Sequence, residues 1–194
     1  MKNSMTDAMT QEEMNNALRS AAEGGWIDEV IRLVGRGAHV DAADLLCNRP
    51  LHHAARKGHG GIVEFLLARS ARIDAADYNG SQPLHFAAWE GHLDVARILM
   101  ARGAEVDAAA ANGSRPLHHA VERGRGEVVK MLLEEGADPM ALNIKGQKPC
   151  DLCRNEEIRA LLDAVEREWK DGALAALRGR LRKLGSLRPK GPTL

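Results

Sequence analysis

The sequence predicts a mainly α solenoid: five stacked helix-turn-helix units, caps included, joined by β-hairpin-like turns. Three observations predict it. Pro50-Leu51-His52, Pro83-Leu84-His85 and Pro116-Leu117-His118 recur every 33 residues, and Pro149 continues the series; a fixed period of this size marks a stacked-repeat architecture. Between these landmarks apolar residues fall at i, i+1, i+4 and i+5, the stripe of a helix buried along one face. The chain of 194 residues is also 44% hydrophobic but only 3% aromatic, which suits thin interfaces of Ala, Leu and Val better than one large mixed core.

Residues 1–9 read as a flexible N-terminus, residues 10–165 as the array, with repeats at about 10–43, 44–76, 77–109, 110–142 and 143–165, and residues 166–194 as a basic amphipathic tail. In the first repeat, Leu18 to Gly25 aligns with Leu51 to Gly58, and Thr10 with Glu13 forms a candidate capping box. Glu29 and Arg32 stand where later repeats have Ile62 and Phe65, so this repeat turns a polar face to water as a cap. Each later repeat opens with Pro at the first helical position, where its missing N–H is not needed. Leu51, Ala54 and Ala55 then let neighbouring helices approach closely, and Gly58 ends the helix. The second helices bury Ile62, Val63, Leu66 and Leu67, then Val95, Ala96, Leu99 and Met100, then Val128, Val129, Leu132 and Leu133. Gly103 and Gly136 supply the left-handed exit, Ser70 less readily. Tyr78-Asn79-Gly80 and Ala111-Asn112-Gly113 carry the Asn-Gly signal of a tight turn. The last repeat is four residues shorter and serves as the second cap.

Pro-Leu-His-x-Ala-Ala, Gly-His, a Val/Leu-rich helix and Gly-Ala-x-Val-x-Ala together resemble the ankyrin repeat, over about four-fifths of the chain. The resemblance implies that His52, His85 and His118 hydrogen-bond backbone and hold the turns. It also implies a protein-binding concave surface made of the turn tips and the exposed face of the first helices. Carried over, that surface comprises Leu45, Leu46, Asn48, Arg56 and Lys57; then Tyr78, Asn79, Ser81, Trp89 and Glu90; then Ala111, Asn112, Ser114, Glu122 and Arg123. The sole Tyr and one of three Trp fall on the central repeat, and Tyr, Trp and Arg dominate interface hot spots. The expected groove is therefore anchored on Tyr78 and Trp89 and flanked by Arg56 and Arg123. The competing reading has Trp89 covering a neighbouring helix and Tyr78 filling a turn.

Two departures stand out. The family's Thr before Pro-Leu-His is replaced by Arg49, Gln82, Arg115 and Lys148. Either Asn48, Ser81 and Ser114 cap one residue earlier, or the basic residues form a ladder facing an acidic partner, one rung per repeat of roughly 10 Å. Cys47 also replaces the turn Gly of the second repeat, after Leu45 and Leu46. That apolar pair either packs on the first repeat or offers a contact point.

No residue set points to catalysis. His52, His85 and His118, like Asp41, Asp74 and Asp107, lie one repeat apart, too far to share a metal ion or a proton. Cys150-x-x-Cys153 has a redox or half-zinc spacing, yet both positions align with the core residues Leu51 and Ala54. The alternative to a binding module is thus a metal- or redox-active protein using these two thiols. No cofactor, no metal and no nucleic-acid partner is expected, and a monomer is. Three unevenly spaced cysteines, and no apolar run in the first ten residues, point to the cytoplasm or nucleus.

The tail carries eight Lys and Arg against three Asp and Glu, a net +5 within a chain of net zero, so residues 1–165 carry −5. Leu174, Leu177, Leu181 and Leu184 follow helical spacing, weakened by Gly172, Gly179 and Gly185. It can pack on the last repeat, bind an acidic protein (calmodulin-like) or a membrane surface, or act as a nuclear address or weak nucleic-acid contact.

Overall fold

The computed structural model describes residues 9–170. Nine α-helices and one short 3₁₀ helix form two layers, with no strand among the described residues. The first layer holds α1 (Gln11–Gly24), α3 (Pro50–Lys57), α5 (Pro83–Glu90), α7 (Pro116–Glu122) and the 3₁₀ helix Pro149–Leu152, each packed on the one before. The second holds α2 (Ile27–Gly35), α4 (Gly60–Ala68), α6 (Leu93–Ala101) and α8 (Gly126–Glu134), stacked in the same order. Helix α9 (Glu156–Lys170) follows the 3₁₀ helix and runs past residue 165, where the array was expected to end. The leucines and glycines singled out in the tail lie outside the described residues.

The core is the predicted one. Leu51, Ala54 and Ala55 are buried with their counterparts Leu84, Ala87, Ala88 and Leu117, Ala120, Val121. Ile62, Val63 and Leu66 are buried behind them, while Leu67 and Met100 are only partly covered. At α1 the capping box is formed: Thr10 Oγ1 accepts from Glu13 N at 3.2 Å, and Glu13 Oε2 accepts from Thr10 N at 2.8 Å. On the capping face, Glu29 and Arg32 pair with each other at 2.5 Å in solvent.

The other helix starts are built differently from either expectation. Asn48, Ser81 and Ser114 do not cap. In the second, third and fourth repeats the histidine at the third helical position does the work from inside the turn, and in the fifth Asp151 Oδ2 takes its place, accepting from Lys148 N at 2.8 Å. His52 Nδ1 accepts from Arg49 N at 3.1 Å, His85 Nδ1 from Gln82 N at 3.1 Å and His118 Nδ1 from Arg115 N at 3.2 Å. With Nδ1 accepting, the proton sits on Nε2. It is donated to a carbonyl in the loop entering the next repeat: Ala75 O at 2.9 Å, Ser114 O at 3.3 Å and Gln147 O at 3.1 Å. Each ring thus ties the start of one helix to the next repeat.

A second tie runs backwards. His59 Nε2 donates to Glu23 O at 3.0 Å, His92 Nε2 to Arg56 O at 3.0 Å and Arg125 Nε to Trp89 O at 3.1 Å. These donors satisfy carbonyls at the end of the preceding repeat's first helix. They also explain Gly58. Its φ is +77°, and a Cβ there would come within 2.6 Å of the His92 ring.

The basic ladder does not exist as a free surface. Arg49 donates to Asp41 O at 3.2 Å and lies 3.9 Å from its carboxylate. Arg115 sits between Asp107 at 3.5 Å and Asp138 at 3.6 Å, and Lys148 is 3.4 Å from Glu166. Each cation is drawn inward to a carboxylate of the array. Such half-exposed pairs contribute about 0–1 kcal/mol, while a buried hydrogen bond contributes roughly 1 kcal/mol and costs more if left broken. The histidines, with two bonds per ring, are the stronger fastening.

Each turn is closed by a feature the sequence reading did not use. Asp44 Oδ1 accepts from Leu46 N and Asn48 N, both at 2.8 Å, and Asp77 Oδ1 accepts from Asn79 N at 2.8 Å and Ser81 N at 2.7 Å. Asn143 repeats the pattern, whereas Ala110 replaces the acceptor in the fourth repeat and Asn112 Oδ1 bonds Ser114 N at 2.9 Å instead. Cys47 and Ser70 hold φ of 61° and 65°, where the other repeats use Gly. Both therefore carry backbone strain that glycine would not.

Burial pushes the imidazoles of His52 and His119 down to about 4, and those of His53, His85 and His118 in the same direction. A histidine depressed below its unfolded value of about 6.5 adds stability above that pH and loses it as pH falls toward the folded value. The urea midpoint should therefore be flat above pH 7 and fall continuously from pH 6.5 to 4. A midpoint unchanged down to pH 5 contradicts these placements.

Candidate functional site

The exposed faces of α3, α5 and α7 are held in register by the buried pairs Ala54-Ala55, Ala87-Ala88 and Ala120-Val121 beneath them. On this face the positions after the conserved-register histidine are His53, Phe86 and His119, and those before the helix ends are Arg56, Trp89 and Glu122. Around α5 they enclose a cleft of about 340 Å³ lined by Arg56, Ser81, His85, Phe86, Trp89, Glu90 and His119. A smaller cleft of about 160 Å³ opens between the third and fourth turn tips and shares Ser81 and His119 with the first.

The walls are flat rings. Trp89 and His119 meet edge-to-face with centroids 5.5 Å apart, and His119 meets His85 at 5.6 Å. The Arg56 guanidinium lies 5.5 Å from the centre of Phe86, and that of Arg123 lies 4.8 Å from the centre of Trp89. Stacking on an aromatic face fixes a guanidinium while leaving its N–H edge free to bind. Arg125 secures the floor through Trp89 O and a 3.9 Å contact to Glu90.

Arg56, Ser81, Trp89 and Glu90 are thus brought together as expected, with Arg123 over the Trp89 ring. Tyr78 is not. It is 76% exposed on its turn tip, its N–H donates to Leu46 O at 2.9 Å, and it lines neither cleft. The expected pairing of Tyr78 with Trp89 in one groove is corrected: a turn tip and a helix face separate them. Leu45 and Leu46 do not pack on the first repeat; both are exposed, as are Asn79, Ala111 and Asn112. Asn48 and Ser114 are removed from the surface set, at 7% and 6% exposure, because the turns fold over them. Lys57 is exposed and 3.5 Å from Glu23; Glu122 is exposed on α7.

Phe86 and His119 were missed. Their shared register, 33 residues apart, was legible, but only His52, His85 and His118 were singled out there, and the position that follows each was not. His119 is the odd member: both ring nitrogens are covered and neither has a hydrogen-bond partner.

The two thiols of Cys150-x-x-Cys153 face inward. Cys153 is buried and its Sγ donates to Asn155 O at 3.1 Å. Burial and the neighbouring Glu166 push the Cys150 thiol up to about 12, which keeps it protonated and a poor nucleophile or ligand. Among the described residues no three His, Cys, Asp or Glu are grouped to hold a metal ion, and no helix is long and apolar enough to cross a membrane.

A family model for ankyrin repeats (3 copies) matches the chain over residues 2–77, 18–110 and 73–143. No curated protein matches it.

A covered imidazole without partners costs about 1–3 kcal/mol, and Phe already fills the equivalent place in the third repeat. His119→Phe should raise unfolding stability by about 1 kcal/mol in urea titrations. A loss of stability would show that the imidazole is satisfied.

Proposed function

The chain belongs to the ankyrin-repeat family, and from that premise we propose that it is a non-enzymatic adaptor holding a partner protein against the face of α3, α5 and α7. Ankyrin repeats are generally protein–protein interaction modules. One observation carries the finer reading: the preformed cleft around Trp89, walled by Phe86 and His119 and edged by Arg56 and Arg123. Large rings fixed by the stack lose little entropy on contact, which is what an interface anchor needs. The inward-facing thiols and the histidines committed to backbone bonds support a binding role over a catalytic one. Three free cysteines support work in a reducing compartment, cytoplasm or nucleus.

Affinity capture on the full chain tests the reading. Trp89→Ala should remove the partner captured by wild type, whereas Arg97→Ala, an exposed change on α6 in the other layer, should not. Equal capture by both variants contradicts it.

A further inference from the structure

The cleft at α5 is bordered by two guanidinium groups that no carboxylate satisfies. Arg56 stacks on Phe86, and its hydrogen bond goes to His53 Nδ1 at 3.1 Å. Arg123 is exposed, stacks on Trp89 and has no carboxylate within 4 Å among the described residues. The neighbouring cations are matched: Lys57 by Glu23 and Arg125 by Glu90. Glu90 is the one carboxylate lining the cleft, and Arg125 already neutralises it. Glu122 on α7 is the remaining acid of this face, against two free guanidiniums.

This local positive charge runs against the rest of the molecule. Residues 1–165 carry net −5, and elsewhere Arg49, Arg72, Arg102 and Arg115 each lie within 4 Å of an acid. Arg69 also stacks on Phe65, 4.8 Å from its centroid and without a carboxylate within 4 Å among the described residues, but it stands alone at the end of α4 in the other layer; at α5 two such guanidiniums border one cleft. His119 adds a second, independent sign. The fold tolerates a covered, unpartnered imidazole there, although Phe fills the same position one repeat earlier. Local costs of this kind concentrate where a surface is shaped for contact rather than stability.

Resting on the adaptor reading, we propose that the cleft takes an acidic peptide segment of the partner protein, an apolar side chain on Trp89 and Phe86 with flanking carboxylates on Arg56 and Arg123. The planar guanidinium fork matches a carboxylate bidentately, and stacking has already ordered it. The apolar side chain fills the space between the rings and excludes water from the ion pairs, which strengthens them.

A random peptide library displayed on phage and selected on the immobilised full chain tests this. Enriched peptides should carry Asp or Glu within three residues of a large apolar residue. Synthetic versions should bind at least ~10-fold more weakly to Arg56→Gln/Arg123→Gln and to Trp89→Ala than to wild type. Urea midpoints of the variants are measured alongside, so that lost binding is read only on folded protein. Enriched peptides without acidic bias that still depend on Trp89 overturn the inference and leave the adaptor reading standing. Peptides indifferent to Trp89→Ala, or no enrichment, overturn both.

Discussion

A neutral imidazole caught between two backbone groups is the interaction on which the rest of this structure depends. At His52, His85 and His118 one ring nitrogen accepts the N–H just before the helix and the other donates to the loop entering the next repeat. Both partners are main chain, so the link is indifferent to the surface residues around it. This is why Arg49, Gln82 and Arg115 can occupy the position before Pro without a side-chain cap; before Pro149 the Asp151 carboxylate accepts from Lys148 N at 2.8 Å instead. The loss of a cap, about 1 kcal/mol, is offset by a ring that makes two bonds in a buried place.

That linkage also determines what the surface can be. The histidines fix turn to helix, the Gly-His and Gly-Arg contacts fix each first helix to the next repeat, and the buried Ala-Ala and Ala-Val pairs set the spacing. Side chains at one register therefore align along the first-helix face without any contact between them being needed. His53, Phe86 and His119 form one such row, and Arg56, Trp89 and Glu122 another. The fold places them but does not choose them, so the chemistry of the face is free to differ from repeat to repeat. At α5 it is aromatic and cationic; in the other layer, Glu29 paired with Arg32 on α2 turns the outer end of the array polar.

Much of this was legible in the residues because periodicity reports burial directly. The 33-residue recurrence, the apolar stripes and the capping box at Thr10 and Glu13 all describe local geometry that sequence spacing dictates. What spacing does not carry is which way a polar side chain turns. Asn48 and Ser114 looked like surface residues because turn tips are usually wet, yet the loops close over them. Arg49 and Arg115 could be read as an exposed ladder because their partners Asp41 and Asp107 lie in the preceding repeat, and Arg115's second partner, Asp138, lies near the far end of its own. Tyr78 and Trp89 share a repeat, yet Tyr78 stands exposed on its turn tip and lines neither cleft. Phe86 and His119 follow His85 and His118 directly in the chain, and only the folded structure brings their rings around one cleft.

The most direct test of the central linkage is the tautomer of His52, His85 and His118, read from the ring nitrogen chemical shifts of the folded protein between pH 8 and 4.5. The account predicts one neutral form for all three at pH 8, proton on Nε2 and Nδ1 bare, with protonation displaced below the ordinary imidazole range. Rings that protonate near pH 6.5 in the folded state, or that populate the Nδ1–H tautomer, would contradict it.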